Sequence, residues 1–320
     1  MSVLSFYFLI KPRYGSLTAA SKLKSGNVIS IHPNHKATYR NQRTLKKPVN
    51  FSGIGLHTGA QVTLSFLPAK EGSGVSFKRV DLPGQPIIPA TIEYVCANTR
   101  NTTLGIADVR IHTVEHVLAA IRAFTIDNLI IEINGIEPPV GNGSSDIFVQ
   151  MIEEGEIVDQ EAPAPIIKLL QPVYWSEGEI HLVAIPSDTY RISYTLNYPE
   201  TRLLKSQYYS LELTSDSFKR EISQCRTFSL YEEVSILMDR GLIKGASLDN
   251  AVVIKDDTIL SKGGLFFPDE MVRHKILDVI GDLSLVGFDI QAHIIAIRSG
   301  HASNVAFARK LFNSITMENK

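Results

Sequence analysis

From residue 43 onward the chain breaks into short runs in which apolar and polar positions alternate. Between them lie stretches whose apolar residues recur every three or four positions. Runs 62–67, 74–79, 89–95 and 109–113 alternate or are β-branched and are separated by turn residues, which predicts strands. Residues 114–124 place Val117, Leu118 and Ile121 on one face of a predicted helix. The run LIIEI at 129–133 predicts a strand. GNGSSD at 141–146 predicts a turn in which Ser144 or Ser145 caps a helix over 147–154. Residues 159–165 (DQEAPAP), rich in proline and acid, read as a linker. Strands then follow at 166–172, 180–186 and 191–196, a helix at 268–285, a strand at 290–297 and a last helix at 302–312.

Two stretches share one order. EHVLAAIRAF at 115–124 leads through an apolar strand and a Gly-rich turn to a helix. RHKILDVIGDL at 273–283 does the same through SGH at 299–301. Each first helix carries a histidine near its start, His116 and His274. We read this as an internal duplication, giving two similar α/β layers packed face to face with the helix starts converging. The second half also holds an extra segment at about 229–253. It has a helix-like stretch at 231–240 and more apolar residues (Val234, Ile236, Leu237, Leu242, Ile243) than a plain connection needs.

Composition narrows the class. With 320 residues, 44% apolar and 20% charged, the chain suits a globular protein of one large or two ordinary domains. No stretch approaches the roughly 18 apolar residues of a membrane helix. Charge is unevenly spread: residues 1–47 carry nine Lys or Arg and no Asp or Glu. This basic, Ser-rich start reads as an organelle transit peptide over 1–42, against the other reading of a basic arm that binds nucleic acid or acidic lipid. The acid-rich remainder argues against a nucleic-acid partner. Cys96 and Cys225 stand far apart and suggest neither a disulfide framework nor a thiolate metal site.

Five constellations could carry chemistry. His274 and Asp278 are four apart on a predicted helix and share a face, as two ligands of one Zn²⁺ require; Asp282 extends the stripe. By spacing alone they also suit a surface hydrogen-bonded pair. Lys275 near the helix start suits a docked phosphate or a solvated lysine. Glu115 and His116 point about 100° apart on a helix, so one could bind a metal while the other reaches its water. Thr113 and Glu115 could equally cap that helix. His301 follows a glycine at a strand-to-helix turn and could be a ligand, a general acid or a structural histidine. The loop GIGLHTG at 53–59, with His57, allows close backbone approach to a ligand but precedes a strand, which excludes a dinucleotide fingerprint. In CRTF at 225–228, Thr227 could hold an oxyanion and Phe228 could stack on a sugar, or both could sit in a strand.

Taken together and in this order, GIGLHTG, TVEH (113–116), IDN (126–128), CRTF, VRHKILDVIGDL (272–283) and SGHA (299–302) resemble the UDP-3-O-acyl-N-acetylglucosamine deacetylases of Gram-negative bacteria. The likeness runs from about Gln42 to about Leu311. It implies an α+β fold of two β-α-α-β domains packed as a sandwich, with helices between two outer sheets. Boundaries on that basis are 43–158, a linker 159–165, and 166–320, with 229–253 as an acyl-chain insert. The resemblance implies His116, His274 and Asp278 as Zn²⁺ ligands, Glu115 as general base and His301 as general acid, with Asp282 orienting His301. It further implies Thr227 as oxyanion donor and Lys275, His57 and Phe228 as substrate contacts. The implied reaction removes the acetyl group of UDP-3-O-acyl-N-acetylglucosamine, the committed step of lipid A biosynthesis. The alternatives are a zinc amidase for another nucleotide sugar and a non-catalytic lipid- or nucleotide-binding relative. The expected partner is the UDP-linked acylated glucosamine alone, bound by a monomer. Bacterial relatives often carry a near-metal cysteine where this chain reads Asn101-Thr-Thr-Leu. The basic leader, absent from them, suggests a plant member sent to the mitochondrion, or alternatively to the plastid.

Overall fold

The computed structural model describes residues 31–316 except 33, 98, 99, 200, 202 and 240. The described chain begins with β1 (His35–Leu45), β2 (Val49–Ile54), β3 (Gln61–Pro68), β4 (Val75–Arg79) and β5 (Ile87–Pro89). A small sheet of β6 (Val95–Ala97), β7 (Thr103–Ile106) and β8 (Val109–Ile111) precedes α1 (Glu115–Ala123), β9 (Leu129–Ile133) and α2 (Asp146–Gly155). The second half runs β10 (Ile157–Leu169), β11 (Val173–Glu177), β12 (Ile180–Pro186), β13 (Arg191–Tyr198), β14 (Lys205–Glu212) and α3 (Ser215–Glu221). After β15 (Phe228–Leu230), α4 (Tyr231–Asp239), β16 (Val252–Lys255) and β17 (Thr258–Leu260) come α5 (Glu270–Ser284), β18 (Asp289–Ile297) and α6 (His301–Ile315).

The two large sheets repeat one topology. In the first, the order is β2-β3-β9-β4-β5, with β3 antiparallel and β4 parallel to central β9. In the second, the hairpins β11-β12 and β13-β14 flank central β18, again one antiparallel and one parallel. Each central strand buries alternate residues: Leu129, Ile131 and Ile133 in β9, and Ile290, Ala292, Ile294 and Ala296 in β18. These faces turn inward against helices. Helix α2 packs on β2 and β3, α6 on β11 and β12, and α1 and α5 pack on each other between the layers. The result is an α+β sandwich with its helices inside.

Three expectations are corrected. Residues 159–165 are not a linker but the middle of β10, paired with β1 from Asp159 opposite Arg43 to Pro165 opposite Tyr39. Pro163 and Pro165 mimic linker composition. They are tolerated because β10 gains a second neighbour, β18, only at Ile166–Lys168. The leader cannot extend to residue 42, since His35–Asn41 already pair with β10 and Ile31 bridges to Thr316. Residues 1–30, the rest of that expected leader, lie outside the described residues. β1 escaped detection because only Thr44 and Leu45 in it are fully buried, so its strand character comes from its partner and not from its own pattern. The run read as a strand at 89–95 instead turns through a short helical turn at Ile92–Tyr94.

Arg40 ties the layers together. Its guanidinium donates to both oxygens of Asp127 (2.6 and 2.9 Å), just before β9, and to Asp289 (2.7 Å), the first residue of β18. Arg122 also pairs with Asp289. Arg40→Ala leaves both carboxylates short of a partner in a mostly buried setting, which we expect to cost about 2–4 kcal/mol. Urea unfolding of the variant against the parent checks this, and an unchanged midpoint contradicts it.

Candidate functional site

The site forms where α1 and α5 cross. His274, Asp278 and Asp282 follow one another at four-residue steps on α5 and are all buried. They face the start of α1, which presents Glu115 and His116. Gly281 makes this approach possible: a Cβ there would meet the Glu115 carbonyl oxygen at 2.1 Å. His301, the first residue of α6, completes the group from the adjoining strand-to-helix turn.

His116, His274 and Asp278 offer donor atoms within 4.8 Å of one another. Both imidazole Nε2 atoms turn towards Asp278 Oδ1, at 3.8 Å from His116 and 3.4 Å from His274. That oxygen is buried and accepts no hydrogen bond among the described residues. His274 Nδ1 donates to the Cys225 carbonyl at 3.0 Å, which leaves its Nε2 lone pair pointing inward. Burial and the neighbouring His274 push His116 down to about 3, and burial lowers His274, so both rings are neutral near pH 7. Burial opposes ionisation of Asp278, yet the Lys275 ammonium at 2.8 Å and the surrounding imidazoles hold it well below the usual carboxylate range. Two neutral imidazoles and a carboxylate converging on one point, with one oxygen left over, fit a tetrahedral divalent cation such as Zn²⁺ with one open position.

Beside this triad lies an acid–base pair. Burial, with the charges of Asp282 and Asp278, raises the Glu115 carboxyl to about 7 against the lowering pull of His301. His301 is opposed by burial but surrounded by Asp282, Glu115 and Asp278, which raise it to about 10. Its Nδ1 is 2.9 Å from Asp282 Oδ2, and its Nε2 is 3.8 Å from Glu115 Oε1. One face of the site therefore holds a carboxylate able to accept a proton near neutrality and the other an imidazolium able to give one.

A model of the UDP-3-O-acyl N-acetylglycosamine deacetylase family matches residues 42–313. The chain belongs to that family. It is 51% identical over 276 residues to a UDP-3-O-acyl-N-acetylglucosamine deacetylase of Chlamydia felis, covering 86% of this chain and 98% of the relative. The corresponding figures are 48% over 279 residues for a Chlamydia pneumoniae relative (87% and 99%) and 45% over 279 for one from Chlamydia trachomatis serovar L2 (87% and 97%). In this deacetylase-family chain the family match begins at Gln42, inside β1.

The remaining expected residues sit around the pair. Thr227 is held by its backbone to Gly143 and Val252, two positions beyond the Cys225 carbonyl that fixes His274. The Phe228 ring lies 6.3 Å from that of His274 and beneath Lys275 Nζ at 5.6 Å. Lys275 itself is committed to Asp278. His57 stands apart from the triad in the Gly53–Gly59 loop. It meets Asn101 at 3.3 Å and is lowered by burial, so it is neutral.

Five residues that shape the site escaped the sequence reading. Glu137 is buried and accepts from the His57 and Thr58 amides and the Thr58 hydroxyl, which shapes the glycine loop. Arg226 and Glu270 form a buried pair at 2.8 Å that fastens CRTF to the start of α5. Thr102 and Asn304 both donate to Asp282. Arg226 lies inside a motif and Thr102 inside the Asn101-Thr-Thr-Leu stretch; the other three carried no sequence signal. The insert docks on the glycine loop through Gly245, whose amide donates to the Leu56 carbonyl and whose Cβ position lies 2.1 Å from the Gly55 oxygen. A cavity of about 440 Å³, lined by Arg43, Arg122, Tyr190 and Asp289 among others, shares no residue with this site.

Gly281→Ala must separate α5 from α1. We expect a loss of about 1–3 kcal/mol, as overpacking costs, together with weaker divalent-metal binding. Calorimetric melting and metal titration check it; normal values for both contradict the close-approach argument.

Proposed function

We propose that this chain hydrolyses the acetamide of UDP-3-O-acyl-N-acetylglucosamine to the free amine and acetate, the deacetylation step of lipid A biosynthesis. Zn²⁺ would be held by His116, His274 and Asp278. The observation that carries the reading is the convergence of two neutral imidazoles on the unpartnered Asp278 oxygen, with the Glu115–His301 pair alongside. The names of the Chlamydia relatives support the substrate.

When bound, Zn²⁺ would lower the pKa of a water and polarise the carbonyl. Glu115 accepts a proton from the attacking water through Oε1, while the Thr102 amide holds Oε2 at 2.9 Å. His301, with Nδ1–H committed to Asp282, presents Nε2–H to the departing amine. The Thr227 hydroxyl donates to the carbonyl oxygen as negative charge grows on it. Lys275 faces the diphosphate and Phe228 the sugar, with His57 binding substrate from the glycine loop. The insert of α4 and β15–β17 flanks the acyl chain. Residues 1–30 act as a transit peptide to the mitochondrion, with the plastid as the other destination. A fluorescent protein fused behind residue 30 and imaged in plant cells tests this, and a diffuse signal overturns it.

The direct assay uses protein starting at Ile31. Acetate release from UDP-3-O-acyl-N-acetylglucosamine is expected, lost with chelator and restored by Zn²⁺. Equal turnover of the unacylated sugar would favour an amidase for another nucleotide sugar, and binding without turnover a non-catalytic relative. Glu115→Ala and His301→Ala should each lower kcat by about 10²–10⁴-fold with metal retained. Full activity in Glu115→Ala breaks the base assignment.

The pH profile follows from the two shifts. Glu115 works deprotonated, so activity falls as pH drops through its raised value, about 7. His301 works protonated, so activity falls again as pH rises through about 10. A bound divalent cation disfavours both protonated forms and moves both limbs to lower pH. Asp282→Asn removes the principal charge that raises His301 and one of the charges that raise Glu115, so it should shift the alkaline limb downward and the acid limb downward by less. An unmoved alkaline limb in kcat against pH contradicts the pairing.

A further inference from the structure

The loop between β6 and β7 inserts one fully buried residue into the acid–base pair. Thr102 spends all three of its polar groups there. Its amide donates to Glu115 Oε2 at 2.9 Å, its hydroxyl donates to Asp282 Oδ1, and its carbonyl accepts from the Val114 amide at 3.2 Å, at the threshold of α1. The two carboxylates it touches come from different halves of the chain, on α1 and α5. Asp282 Oδ2 is already filled by His301 Nδ1 and Asn304 Nδ2, so the Thr102 hydroxyl is what occupies the other oxygen.

We infer that Thr102 is a positioning residue for catalysis, setting Glu115 and the His301–Asp282 pair at their working separation through one backbone and one side-chain hydrogen bond. The hydroxyl fixes the rotation of the Asp282 carboxylate, and that rotation aims Oδ2 at His301 Nδ1. With Nδ1–H held, Nε2 faces the cleft opposite Glu115 Oε1, 3.8 Å away. Without the hydroxyl, Asp282 Oδ1 is left buried and unpartnered, and the carboxylate is free to turn about its Cβ–Cγ bond. The effect is felt only where the proton moves. No group that would touch the nucleotide or the acyl chain is disturbed.

This inference rests on the reading of Glu115 as base and His301 as acid, and the test separates the two. Thr102→Val keeps size and the amide but removes the hydroxyl. In the Zn²⁺-loaded enzyme it should lower kcat by about 10- to 100-fold, as loss of an outer-shell partner does, with KM and zinc content unchanged and the protein still fully folded at the assay temperature. Thr102→Ser should restore kcat to near the parent. The proton signal of His301 Nδ1–H in NMR should move in Thr102→Val and return in Thr102→Ser. If the valine variant does not fold, Thr102→Ala, which leaves room for a water, gives the same readouts. Parental kcat and an unmoved Nδ1–H signal overturn the inference while the function stands, provided His301→Ala is impaired in the same assay. A kcat loss accounted for by lost zinc or by a smaller folded fraction at the assay temperature marks Thr102 as merely structural and overturns it too. Parental activity in both His301→Ala and Glu115→Ala removes the reading beneath it.

Discussion

The close crossing of α1 and α5 is the constraint on which the rest of the molecule depends. It buries Glu115, Asp278 and Asp282 beside His116, His274 and His301, and unpaired buried charge is costly enough that every member must be compensated. Lys275 offsets Asp278, His301 offsets Asp282 and shares Glu115, and donors from Thr102 and Asn304 fill the remaining acceptors. The carboxylate oxygen Asp278 Oδ1 is buried without a hydrogen-bond partner among the described residues, at the point where two imidazoles meet. The same electrostatic balance that lets the core fold thus prepares a place for a cation and sets the acid and the base apart.

The duplicated topology explains how the site comes to be central. Each half supplies a sheet of two hairpins round a middle strand and one helix that ends at the shared seam. The halves then diverge in what is inserted before the helix. In the first it is the β6–β8 sheet, which delivers Thr102. In the second it is α3, α4 and β15–β17, which deliver Cys225, Thr227 and Phe228. Common scaffold and separate insertions divide the labour between holding the site and shaping its surroundings.

Much of this was legible in the sequence for physical reasons. The four-residue steps from His274 to Asp282 mark a single helix face, and the alternation of LIIEI marks a strand buried on one side. What stayed hidden depends on partners far along the chain. Thr102 meets Asp282 across 180 positions, and Asn304 and Glu137 look like ordinary polar residues until the fold closes round them. The strand at Ile157–Leu169 hid behind its prolines, and β1 behind its weak alternation; both exist because each is the other's neighbour. The resemblance to the deacetylases carried the roles of individual residues further than spacing could, since spacing alone left each histidine with an ordinary structural reading.

The central claim is that side chains from both halves hold one divalent cation. Crystals of the Zn²⁺-loaded protein, measured on either side of the zinc absorption edge, test it most directly. The account predicts a single anomalous peak at about 2.0–2.2 Å from His116 Nε2, His274 Nε2 and a carboxylate oxygen of Asp278. A peak bound elsewhere, or none among these three side chains, would contradict it.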